Sequence, residues 1–178
     1  MNLWTCILVA DQFWNSFETL NENDQRFQNA ILDATEHTDD LDGAVAFVEG
    51  NGIKGTSIPS IVNLAFASEL YLKAYLFATG STSPKIHEVR KLFDALNPDA
   101  KEALFAHLLG NGAGNTRENV LDRLDTNNKA FEVFRYFHEV KDSADYMTGF
   151  ARNLCTSLQA LLAPYKAAEL KKIRAVID

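Results

Sequence analysis

The sequence predicts an all-α fold, an antiparallel helical bundle with additional short helices. Proline and glycine divide the chain into segments whose apolar residues recur at helical spacing. No stretch shows the alternation of a half-buried strand, a hairpin turn signal or a repeat of fixed period. With 178 residues, 47% of them hydrophobic and 12 of them Phe, the chain has material for one well-buried core, and 1–178 is expected to form a single domain.

A first helix is expected over about residues 4–19. A second starts near Asn21 or Asn23, either one a suitable N-cap, and carries Phe27, Ile31 and Ala34 on one stripe as far as the acidic Asp39-Asp40 region. A short helix over 43–49 and a glycine-rich loop to Gly55 follow. Ser57 and Pro59 then open the strongest helix, about 58–79, which stops at Gly80. After the loop ending at Pro84, a short helix passes through Leu92, Phe93 and Leu96, and Asn97-Pro98 supplies N-cap and N1 for a helix over 98–109. Gly110 to Gly114 reads as a hinge or loop, since it lacks the Lys-Ser/Thr ending of a phosphate loop. Asn115, with Glu118 three residues on, resembles a capping box for a helix running toward Lys141 with an interruption near Asn127-Asn128. The last long helix starts at Asp142 or Ser143 and reaches Ala163, where Pro164 kinks it or begins a final helix.

The net charge of −7 is unevenly spread. Residues 1–53 hold Arg26 against ten acids, a net −9, and the rest of the chain carries +2. Such a first third opposes general attraction to a phosphate backbone, which draws on clustered Lys and Arg, so any RNA contact must be local. Keeping the surface soluble is the ordinary role of such charge. The basic stretch Lys166 to Arg174 suits a solvated last helix that complements its own dipole. Cys6 and Cys155 lie in apolar helical contexts and read as buried thiols of a reducing compartment. Histidines 37, 87, 107 and 138 show no ligand spacing, so neither structural zinc nor another cofactor is expected. The run Ile7 to Ala10 is too short for a signal sequence, and Glu, Lys or Asn interrupts every long apolar stretch, so no membrane span and a cytoplasmic location are expected.

Charge stands out most where it costs most. In Ile61 to Phe77 apolar residues occupy nearly every angular position, yet Glu69 and Lys73 sit there four apart, in the orientation that favours an ion pair. The pair either satisfies itself or lines a polar cleft.

The run Glu69-Leu70-Tyr71-Leu72-Lys73-Ala74, then His87-Glu88-Val89-Arg90-Lys91-Leu92-Phe93, then Phe131-Glu132-Val133-Phe134-Arg135-Tyr136, resembles in order and spacing the signature of HEPN proteins. The resemblance covers roughly residues 60–140 and leaves the first 50 unmatched. It implies a helical bundle, usually a homodimer, with long helices facing each other across a cleft. It also implies RNA or a nucleotide as ligand, and an antitoxin or a nucleotidyltransferase as partner in toxin–antitoxin or defence systems. In catalytic members an Arg and a His four to six residues apart cleave RNA without a metal. Arg supplies a planar fork for phosphate oxygens, and His, titrating near neutrality, moves a proton.

Here the chain departs from that pattern. Arg135 and His138 are separated by two residues, and neither Arg123 nor Arg152 has a His at the required distance. An i, i+3 spacing still places both on one helical face, so Arg135 and His138 stand as the candidate catalytic pair, although His138 among Phe131, Phe134 and Phe137 also suits a packed histidine. Glu69, Lys73, His87, Lys91 and Tyr136 are the candidate ligand-binding residues, expected to gather with Arg135 in one cluster that is either a pocket or a network fixing the register of three helices. The preferred reading is a non-catalytic or divergent HEPN-like protein that binds RNA, a nucleotide or a partner protein through a polar inter-helix cleft. The alternatives are a metal-independent endoribonuclease and a purely structural oligomer.

Overall fold

The computed structural model describes residues 2–36, 40–81, 85–114, 116–128 and 147–177. Those residues form seven helices and no strand: α1 (Leu3–Thr35), α2 (Leu41–Gly50), α3 (Ser57–Ala78), α4 (Val89–Asp94), α5 (Pro98–Gly110), α6 (Arg117–Thr126) and α7 (Thr148–Ile177). The all-α expectation holds.

α3 is the axis of the fold. Every residue from Ala67 to Leu76 is buried, which its all-round apolar sequence requires. By length and composition α3 does reach the measure of a membrane span, contrary to expectation, but 67% of that window is buried inside the protein, as in a core helix. α1 crosses it antiparallel. The Cys6 thiol donates to the Leu70 carbonyl, Phe13 meets Phe66 edge to face, and Thr56 Oγ1 donates to the Leu20 carbonyl. α7 runs parallel to α3, with Ser68 beside Cys155 and Gln159 donating to the Tyr71 hydroxyl. That hydroxyl donates in turn to Asp11 at 2.8 Å, so Tyr71 ties all three long helices together. A smaller cluster of Ala34, Ala44 and Val48, with Phe27 and Ile31 against it, joins the end of α1 to α2.

The structure corrects three boundaries. α1 is one helix of 33 residues and does not restart at Asn21 or Asn23. An interior Asn costs only about 0.6 kcal/mol relative to Ala, no proline or glycine accompanies it there, and burial of Phe17 and Asp24 on either side holds the helix together. The cap of α6 is Thr116, whose hydroxyl accepts from the Asn119 amide, while Asn115 lies outside the described residues. The end of α6 agrees with the expected interruption: the helix stops at Thr126, with Asn127 as its C-cap. Of the two alternatives at Pro164 the start of a separate helix is corrected, because the proline lies inside α7, which continues past Ala163 to Ile177. The expected starts of that helix, Asp142 and Ser143, also lie outside the described residues.

Candidate functional site

The charges inside α3 gather as a cluster. The Glu69 carboxylate is 1% exposed, and its Oε1 accepts from Lys73 Nζ at 2.7 Å and lies 2.9 Å from His87 Nδ1. Its Oε2 is buried and accepts no hydrogen bond from the described residues. His87 enters from the segment before α4 with its ring half exposed. That segment is positioned by Asn128, whose carbonyl accepts from the Val89 amide and whose side chain accepts from the Arg90 amide at 2.9 Å. The Arg90 guanidinium adds bonds to Asp94 and Asp125, fixing α4 against α6.

Three of the expected ligand-binding residues, Glu69, Lys73 and His87, are therefore together. Lys91 turns away to an exposed ion pair with Glu88 on its own turn. Arg135, Tyr136 and His138 lie outside the described residues. The residues flanking that stretch are joined, since the Met147 amide donates to Asn127 Oδ1 at 2.9 Å. Asn127 and Asn128 thus link the neighbourhood of His87 to the start of α7.

On the α7 side of this junction lies an open cavity of about 740 Å³ between α1, α6 and α7, lined among others by Trp14, Glu18, Arg123, Arg152, Asn153 and Thr156. Arg152 lies over the Phe17 ring at 5.6 Å and 3.5 Å from Glu18 Oε1, an ion-pair distance without a formed hydrogen bond. Arg123 donates to the Ala113 carbonyl, holding the turn after α5 at the rim. That turn needs Gly112 at φ +71°, a left-handed conformation that glycine adopts without strain. It is pinned to α7 by Asn111 Nδ2, which donates to Ser157 Oγ at 3.0 Å. Two guanidinium groups against one carboxylate give these walls a positive balance in a chain whose net charge is −7. Planar guanidinium forks suit phosphate oxygens, and Trp14 offers a flat apolar surface beside them.

Sequence reasoning considered Arg123 and Arg152 only as partners for a histidine and passed over Trp14 and Glu18. Glu18 and Arg152 lie 134 positions apart, so no local spacing connects them. The two thiols are buried as expected. Burial pushes Cys155 up to about 12, partly offset by the hydrogen bond with Ser68, and raises Cys6 to about 11 against the nearby Lys73 charge. Among the described residues no group of His, Cys, Asp and Glu could hold a metal ion.

A family model described as HEPN domain matches residues 59–161. The match takes in Glu69, His87, Arg123 and Arg152, and leaves α1 and α2 outside it. Comparison with curated proteins and with solved structures finds no match.

Proposed function

The chain belongs to the HEPN domain family, and on that premise we propose that it binds the phosphate of an RNA segment or nucleotide in the cavity between α1, α6 and α7 without cleaving it. The observation that carries this reading is Arg152. Its guanidinium stands at the cavity wall, backed by Phe17 and oriented by Glu18, with Arg123, Asn153 and Thr156 around the same space. A fork held in place before the ligand arrives loses less entropy on binding. The cavity is a local positive site in an acidic chain, which fits recognition of one or a few phosphates better than a long backbone. No histidine is among the described residues lining it, so binding there does not bring a proton carrier with it.

In this reading 1–178 acts as one unit, because α1, outside the matched stretch, supplies Trp14 and Glu18 to the wall. The Glu69, Lys73 and His87 cluster fixes the register of α3 against the segment before α4. A second reading, metal-independent cleavage of RNA, draws on one observation: His87 is half exposed and its ring is held by a buried carboxylate, an arrangement suited to moving a proton.

The two are separated by titrating the protein with AMP and with a short 5′-phosphorylated RNA in EDTA. Binding is followed by Trp14 fluorescence in a Trp4→Phe background, and the RNA is analysed for cleavage. Saturable quenching that weakens with salt, with the RNA intact, is the expected result. Absence of binding at low salt contradicts the proposal, and cleavage abolished by His87→Ala supports the second reading.

A further inference from the structure

The first 53 residues, outside the stretch 59–161, carry ten acids against Arg26 alone, and Lys54 is the next base. These two cations come to one place. With Asn23, Ile53 and Thr56 they line a cavity of about 540 Å³ between α1 and the loop that joins α2 to α3. Glu22 stands one turn before Arg26, at the spacing of an ion pair, yet among the described residues neither Arg26 nor Lys54 makes a hydrogen bond or an ion pair. The loop that carries Lys54 is anchored. The Thr56 amide donates to Asp24 and its hydroxyl to the Leu20 carbonyl, and Gly55 packs so closely on Phe27 that a Cβ would stand 2.9 Å from the ring.

Ile53 is also a wall of an adjoining groove of about 410 Å³, lined by Ala30, Asp33, Ala34, Phe47 and Val48, so the two form one trough beside α1. Asn23, Arg26, Ala30 and Asp33 follow one another at helical spacing along that side of α1. Phe47 is 61% exposed at the apolar stretch. The trough therefore has three parts in order: the cations Arg26 and Lys54, an apolar middle at Ile53, Ala30 and Phe47, and the exposed Asp33 carboxylate. Arg26 and Asp33 are about 10 Å apart along the helix at 1.5 Å per residue.

We propose that this trough holds the C-terminal tail of a partner protein, with its terminal carboxylate on Arg26 and Lys54, an apolar last side chain against Ile53 and Phe47, and a basic residue at Asp33. An extended chain advances about 3.3 Å per residue, so three residues cover the distance and place the base about three positions before the last residue. Charge complementarity selects this occupant. A terminal carboxylate gives the two cations the charge-assisted hydrogen bonds they lack within the chain. A fatty acid would satisfy the cations but lay the end of its alkyl chain against the Asp33 carboxylate, stripping water from it without a partner in return. A long acidic segment would be repelled by the −9 of the surrounding residues. The trough shares no lining residue with the phosphate cavity and does not depend on that reading.

The test titrates the full chain into a fluorescein-labelled peptide, Gly-Ser-Lys-Ala-Ala-Leu, and follows fluorescence anisotropy. The free-acid peptide is expected to bind saturably, and its C-terminal amide at least about tenfold more weakly, because the amide cannot make the charge-assisted contact. Arg26→Gln with Lys54→Gln is expected to bring the acid down to the affinity of the amide. Asp33→Asn is expected to remove the preference for Lys over Ala at the third position before the end. All three positions are exposed, so folding should survive, and circular dichroism checks it. No binding of the acid, equal affinity for acid and amide, or a double variant that still distinguishes them overturns the inference. Displacement by dodecanoate or AMP as strong as that by unlabelled peptide overturns it too, as does sedimentation velocity showing that the peptide binds only by displacing a second copy of the chain.

Discussion

His87 Nδ1 and Glu69 Oε1 lie 2.9 Å apart, joining the segment before α4 to the middle of the buried central helix. The same oxygen accepts from Lys73, so one buried carboxylate serves two partners from two elements. A charge placed this deep is tolerated only because it is paired, and pairing fixes which turn of α3 faces His87.

Glu69→Ala should therefore be among the most damaging single changes, because it leaves the Lys73 ammonium buried without a counter-charge. A loss of about 3–5 kcal/mol is expected in urea unfolding. Replacing both residues together, Glu69→Met with Lys73→Met, should cost much less than Glu69→Ala alone. Equal costs for the two proteins would show that the pair does not act as a unit.

Asp24, 7% exposed in the middle of α1, performs the capping that Thr56 does not. Its Oδ1 accepts from the Thr56 amide at 3.1 Å and from Ser57 Oγ at 2.7 Å, while Oδ2 accepts from Gln28. Asp24→Ala should cost about 2–3 kcal/mol, the scale of a lost charge-assisted contact with its donors left unpaired. Amide exchange should speed up first at the start of α3. Unchanged exchange there would assign the capping to another group.

The buried thiols give stability a pH dependence on the alkaline side. Their folded pKa values lie above 9.0, at about 11 for Cys6 and about 12 for Cys155, so the folded state retains protons that the unfolded chain releases. Stability is complete below about pH 9 and falls as pH rises toward 11 to 12, by about 1.4 kcal/mol per thiol at one unit above 9. Burial raises Tyr71 as well, which steepens the fall at higher pH. Urea unfolding at pH 8 and pH 10, repeated for Cys155→Ala, checks this. A flat profile, or a slope unchanged by the substitution, contradicts it.

What the sequence revealed depended on whether the signal was local. Ser57 and Pro59 with Gly80 delimited α3, and Asn97-Pro98 opened α5, because caps and breakers act within one turn. The same rule failed at Asn21 and Asn23, where buried contacts of α1 with the distant Thr56 and Ser57 outweighed weak local punctuation. Pro164 lies inside a continuous α7. It and Ala160, whose carbonyl loses its helical donor, are both exposed, so water can take up the missing bond and the helix continues. The Glu69 and Lys73 pair was visible as charge in an apolar stretch, and His87 joined it through the family resemblance. The cavity was not visible, since Trp14, Glu18, Arg123 and Arg152 come from three helices and only the packing of α1 on α7 brings them together.

The claim that phosphate is held by Arg152 is tested most directly by isothermal titration of a 5′-phosphorylated RNA into the parent protein, Arg152→Lys and Arg152→Ala. Lysine keeps the charge but not the fork, so affinity should fall at least about tenfold in Arg152→Lys and further in Arg152→Ala, in keeping with about 1.5–3 kcal/mol for a charged hydrogen bond. Melting temperatures should stay close to that of the parent. Equal affinity for all three proteins would contradict the account.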